Sequence, residues 1–142
     1  MQVFIIGTPI ETAIHLDKKR LNKQIIECQQ ILKAICGESK AWINHPCTIQ
    51  YREFVQWLYL YKQCLKYYRN GCIKYAEFAS IRANEIKPNF HTQEYFDNMK
   101  KRLYTKNHEH YKQWENLGES YENWYWVITR CFLSMVTQQK LD

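Results

Sequence analysis

The sequence predicts an all-α protein, read as a single compact domain of about four to five helices over residues 1–142, with a polar tail from about 136. Three observations carry this. Apolar residues recur at spacings of three and four over long windows, which is helical periodicity. The four glycines and three prolines are too few for a turn-rich fold, and they punctuate the windows instead of filling them. Nothing repeats, and neither a low-complexity run nor a linker divides the chain, whose 142 residues are the usual size of one domain.

Taken in order, residues 2–10 read as extended and apolar, ending at Thr8-Pro9. Thr12 or Asp17 is placed to cap the first helix, which runs from Asp17 to about Cys36 with Leu21, Ile25, Cys28, Leu32 and Ile35 on its inner face. Gly37 is the expected stop, and residues 38–46 read as a loop. Residues 48–70 read as one long helix, with Tyr51, Phe54, Val55, Leu58, Leu65 and Tyr68 at helical spacing and Asn70-Gly71 as its end. A shorter helix is expected over about 73–85, ending before Lys87-Pro88. Another, basic helix is expected over 92–104, followed by a polar and aromatic turn or short helix, then ENWYWVITR and an apolar stretch to Met135.

Composition narrows the classes. Hydrophobic residues make up 46% of the chain, enough for a core. Eleven tyrosines and five tryptophans exceed what a small core absorbs, so some rings belong at the surface, where a flat apolar body with a polar atom suits stacking. The net charge of +6 and pI of about 9.0 fit either a polyanionic partner or a basic protein with none. No secretory signal is visible at MQVFIIGTPIETAIH, and no window approaches the roughly 20 apolar residues that span a bilayer. A cytoplasmic location is expected, in a host cytoplasm or virion if the source is viral. The six cysteines form no C-x-x-C and read as free thiols; no metal site and no cofactor is expected.

Four stretches carry candidate chemistry. On the first helix, Arg20, Lys23, Gln24 and Glu27 share a face, because one turn is 3.6 residues. Two readings stay open there. Lys23 and Glu27 are spaced as a surface ion pair; alternatively the carboxylate orients a developing charge while the cations hold phosphates. The loop AWINHP offers Trp42, Asn44 and His45. From Lys100 to Trp114, the cations Lys100, Lys101, Arg102, Lys106 and Lys112 alternate with His108, His110, Tyr104, Tyr111 and Trp114. Cations grip phosphates and rings stack on bases, so the mixture suits nucleic acid, or else a solvated basic turn. In NWYWV (123–127), three adjacent rings cannot all face one core. The chain has no G-x-S-x-G, P-loop, H-E-x-x-H or G-x-G-x-x-G.

The stretches LDKKRLNKQIIECQQIL (16–32), GESKAWINHP (37–46), the helix to RNG (69–71), RLYTKNHEHY (102–111) and YWV (125–127) together resemble the pyrimidine-dimer DNA glycosylase family, the phage-type endonuclease V group and its short bacterial relatives. The resemblance covers most of residues 1–127, and the first two stretches are its most specific part. It implies a compact all-α domain that binds damaged double-stranded DNA. It also implies a DNA glycosylase with AP-lyase activity, in which the N-terminal α-amine attacks the sugar C1′ to give a Schiff base. An α-amine ordinarily titrates at about 7.7–8.0 and a lysine amine at about 10.4, so the α-amine supplies far more neutral nucleophile near pH 7.

Carried onto this chain, the resemblance makes Met1 the nucleophile and Glu27 the assisting carboxylate. Arg20, Lys23, Gln24, Trp42, Asn44, His45, Lys100, Lys101, Arg102, Lys106, His110 and Tyr111 become the DNA contacts. Leu21 stands where the phage enzymes keep a glutamate directly after an arginine, and Glu27 matches the short relatives instead. Phe96, Met99 and Arg102 stand where those relatives often carry two histidines and an asparagine. A different class of function stays open beside this one: a non-catalytic helical module of the same fold, binding nucleic acid or serving as an accessory component of a larger, possibly viral, assembly. The sign of this second class is an N-terminus buried away from Glu27, or packed against another protein.

Overall fold

A computed structural model describes residues 1–120 of the chain, and every described element is helical. The described residues hold six α-helices: α1 (Pro9–His15), α2 (Lys18–Ile35), α3 (Pro46–Tyr51), α4 (Val55–Arg69), α5 (Ile73–Glu85) and α6 (Gln93–Lys106). One 3-10 helix follows (Lys112–Leu117). By internal contacts the chain divides into two compact units, Met1–Pro88 and Asn89–Asp142. The NWYWV stretch, the apolar run containing Cys131 and the polar tail lie outside the described residues.

The helix ends follow local chemistry. The Asp17 carboxylate accepts the Arg20 N–H at 3.2 Å and caps α2, as expected, and Gly37 takes φ +80° just past its end. Gly71 does the same after α4. Two expectations change. Thr8, not Thr12, caps an additional short helix, α1; the Thr12 hydroxyl donates to the Thr8 carbonyl at 3.0 Å and accepts the Ile6 N–H at 3.1 Å. The helix expected over 48–70 is broken at residues 52–54 into α3 and α4. The break has a packing reason. In one continuous helix, residues 51 and 57 would point about 120° apart. Instead the fully buried Tyr51, Trp57 and Tyr61 stack in series, with centroids 5.5 and 5.1 Å apart.

The core of the first unit joins Phe4, Ile5, Cys28, Ile31, Leu58 and Leu65 to this aromatic series. Helix α5 packs closely on α4 because its inner face is small: Ala76, Ala79 and Ala83 are buried, with Cys64 of α4 against the first two. Its large residues point the other way. In the second unit, the buried Tyr95, Met99 and Leu103 line one side of α6. The five described cysteines are free, as read from the sequence. No helix among the described residues is long and apolar enough to cross a membrane.

Candidate active site

Residues 1–6 form an extended segment with no strand beside it among the described residues, so its backbone needs side-chain partners. They come from α1 and α2. The Gln2 N–H donates to Glu27 Oε2 at 2.5 Å, the Phe4 N–H to Gln24 Oε1 at 2.5 Å, and the Ile6 N–H to Thr12 Oγ1 at 3.1 Å. Gln24 Nε2 donates back to the Gln2 carbonyl at 2.7 Å, and the Tyr61 hydroxyl donates to the Phe4 carbonyl. The amides of Gln2 and Phe4 therefore meet α2 one turn apart, running antiparallel to it, and the amide of Ile6 meets α1. From the other side, Cys47 Sγ donates to the Met1 carbonyl at 3.5 Å, and its sulfur receives the Val3 amide.

This clamp fixes Met1 beside a buried carboxylate. Glu27 is 5% exposed, and burying a carboxylate is costly unless donors or opposite charge meet it. The Gln2 N–H meets one oxygen. His45 and Cys47 each feel both the N-terminal charge and the Glu27 charge, so amine, carboxylate, imidazole and thiol share one neighbourhood. Burial pushes the Cys47 thiol up to about 12 against the opposing pull of the N-terminal charge. A thiol in that state is not a nucleophile near pH 7. Desolvation, then repulsion from the N-terminal charge, holds His45 below its ordinary 6.5, against the opposite effect of Glu27. Its Nδ1 accepts the Cys47 N–H at 3.1 Å and caps α3, so the neutral ring carries its proton on Nε2.

The loop before α3 is built tightly for so exposed a segment. Trp42 adopts φ +65°, a left-handed conformation uncommon for a bulky residue, and stays 48% exposed. Its carbonyl accepts the His45 N–H at 3.0 Å, its ring meets the His45 ring edge-on at 5.6 Å, and the Arg52 guanidinium holds the Ile43 carbonyl at 3.1 Å. Backbone strain at an exposed ring is the kind of feature that functional sites retain. Asn44 is exposed on the same loop.

The other expected residues divide. The Arg20 guanidinium lies over the Phe4 ring at 5.4 Å, and Lys23 is exposed one turn along. No ion pair joins Lys23 to Glu27; the carboxylate turns inward to the Gln2 amide instead. Gln24 is corrected from DNA contact to buried clamp: it is 1% exposed with both ends of its amide on backbone. Tyr111 is likewise too buried to touch DNA, at 1% exposed and stacked on Trp114 at 5.4 Å. Lys100, Lys101, Arg102, Lys106 and His110 all belong to the second unit. There Lys100 lies 4.0 Å from Asp97 and over the Trp114 ring, Lys101 is half-buried, and Lys106 and His110 are exposed. The buried Nε of Arg102 has no hydrogen-bond partner. As members of the clamp, Thr12 (read from the sequence as a candidate helix cap), Cys47 and Tyr61 were not anticipated. Cys47 was the most legible of the three, directly after His45-Pro46.

The arrangement is an extended N-terminal segment clamped to a buried carboxylate within an all-α unit. Residues 1–67, a little under half of the chain, match the family model described as pyrimidine dimer DNA glycosylase. That family is one of DNA-repair glycosylases, and DNA is the partner it implies. The match covers the clamp, Glu27, the Trp42–His45 loop and most of α4; it ends before residues 102–111. No curated protein and no solved structure matches the chain.

Proposed function

We propose that the protein is a DNA glycosylase with AP-lyase activity on damaged pyrimidines in double-stranded DNA, and that the Met1 amine is its nucleophile. The observation that carries this reading is the Gln2–Glu27 hydrogen bond, which holds the N-terminal residue against the one buried carboxylate of α2. The amine nitrogen attacks C1′, and the glycosidic bond breaks with its electron pair leaving on the base, which takes up a proton. The nitrogen then loses one proton, and its lone pair opens the sugar ring by breaking the C1′–O4′ bond; O4′ takes up a proton, and the product is a cationic Schiff base that keeps one N–H. Removal of a C2′ proton then expels the 3′ phosphate oxygen and nicks the strand. Glu27 stabilises the cationic stages, a role suited to a fixed carboxylate in a water-poor site. Fixing the amine in place removes the entropy of bringing it to the sugar.

Around this centre, Arg20 and Lys23 hold phosphates. The exposed Trp42 ring stacks where the damaged pair opens, with Asn44 and His45 beside it; damaged pairs unstack at less cost. In the second unit, taken by itself, Lys100, Lys101, Arg102, Lys106 and His110 are candidate phosphate contacts. A sign of the non-catalytic alternative is an N-terminus away from Glu27 or packed against another protein; the clamp, which seats residue 2 on Glu27, supports the enzyme reading.

The test is borohydride trapping on duplex DNA with an abasic site. The wild-type chain forms a covalent adduct. Glu27→Gln keeps an oxygen for the Gln2 N–H, so it folds and binds DNA while its adduct yield falls at least about tenfold, as expected for a lost charge-stabilising group. A wild-type chain that yields no adduct at neutral pH rules out the amine mechanism.

A further inference from the structure

Helix α5 turns its small residues inward and its large ones outward. Tyr75, Phe78 and Ile81 are 66%, 63% and 61% exposed, far more than large apolar residues on an amphipathic helix ordinarily are. The outward positions also carry charge: Lys74, Glu77, Arg82 and Glu85 are all exposed. Two cations and two anions give no net charge, so this face does not suit a phosphate backbone.

The order of these residues is self-complementary. Lys74, Phe78, Ile81 and Glu85 follow spacings of four, three and four, which is the seam of a two-helix coiled coil. The seam is symmetric about its midpoint when charge is reversed end to end. If a second α5 lies antiparallel on the first, Phe78 meets Ile81 of the second copy in two central layers, and Lys74 meets its Glu85 in two outer layers. Along one flank Tyr75 falls beside Arg82 of the second copy, a ring and a guanidinium; along the other Glu77 falls beside its Asn84. Each contact occurs twice, which is the signature of an isologous interface. Other arrangements are penalised. A parallel pair sets Lys74 on Lys74 and Glu85 on Glu85. Sliding by one heptad sets Phe78 on Lys74 or Ile81 on Glu85. Within one copy, Arg82 and Glu85 sit 4.0 Å apart with both side chains mostly exposed, a weak pair free to exchange partners.

We propose that the outer face of α5 is a homodimerisation surface, on which two copies pack antiparallel with Phe78 against Ile81 of the second copy and Lys74 beside its Glu85. Thirteen residues make a helix of about 20 Å, a contact at the small end for stable association, so the dimer is concentration-dependent.

Sedimentation equilibrium of the full chain from about 1 to about 300 µM tests this, a span that covers weak protein association. The weight-average mass should rise from one chain toward two. Phe78→Asp and Lys74→Glu should each weaken association at least about tenfold, with circular dichroism confirming that both fold. The double variant Lys74→Glu/Glu85→Lys exchanges the outer charges and should restore it. A wild-type chain that stays monomeric throughout overturns the proposal and leaves the face to a different protein. So does a dimer indifferent to Phe78→Asp, and a double variant as weak as Lys74→Glu overturns the antiparallel register.

Discussion

Replacing Gln24 by leucine tests the clamp directly. Leucine keeps the volume but removes both ends of the amide, so the Phe4 N–H and the Gln2 carbonyl lose their partners in a buried place. Each orphaned group costs roughly 1–3 kcal/mol, so the loss is about 2–6 kcal/mol. For a chain of this length 1 kcal/mol moves the melting temperature by roughly 3–5 °C, which gives a fall of about 12–20 °C at the middle of that range. The more specific consequence is chemical. With residues 1–4 detached, the Met1 amine has no fixed place beside Glu27, and the rate of borohydride-trapped adduct should fall at least about tenfold at a temperature where the variant is still folded. Gln29→Leu is the matched control, because Gln29 only accepts from a lysine that can turn to water. It should cost less than about 1 kcal/mol and leave trapping unchanged. A Gln24→Leu chain within about 0.5 kcal/mol of wild type, with undiminished trapping, would refute the clamp as the device that positions the amine.

Three further outcomes are expected. Trp42→Gly relieves a left-handed bulky residue, so stability should hold or rise by up to about 1 kcal/mol. DNA affinity should fall by the about 1–3 kcal/mol of a lost stacking ring, and a competition assay beside a thermal melt separates the two. Lys23→Ala should lower the log–log salt slope of DNA binding by about 0.9 without changing the melt; an unchanged slope removes Lys23 from the phosphate contacts. His45 is held below its ordinary 6.5, so the unfolded chain binds its proton first. Its contribution is therefore complete above pH 6.5 and is lost as pH falls below that value. His45→Asn keeps an α3 cap without the titration, and its melting temperature should decline less than that of wild type between pH 7.5 and 5.5.

Much of the fold was legible because it rests on local signals. Asp17 and Gly37 mark the ends of α2, and Asn70-Gly71 ends α4, through chemistry confined to a few residues. The break at residues 52–54 was not legible. Tyr51, Phe54, Val55 and Leu58 keep helical spacing across it, and only the stacking of Tyr51 on Trp57 requires the bend. Within the candidate site, spacing grouped Gln24 with Glu27 correctly but could not say which way they face. Polar residues at those positions read as an outer edge. They are buried because an extended N-terminus with no strand partner needs side-chain hydrogen bonds, a demand that arises only when residues distant in sequence meet. Cys47 reads as a small apolar filler by composition, and its contact with the Met1 carbonyl is again a long-range one.

The claim at the centre is that the N-terminal amine does the chemistry. Peptide mapping by tandem mass spectrometry of the borohydride-reduced adduct with abasic-site DNA tests it most directly. The account predicts that the sugar remnant resides on the α-amine of the peptide beginning at Met1, and that blocking this amine abolishes the adduct. A remnant on a lysine side chain, Lys23 for instance, or an adduct that survives a blocked N-terminus, would contradict it.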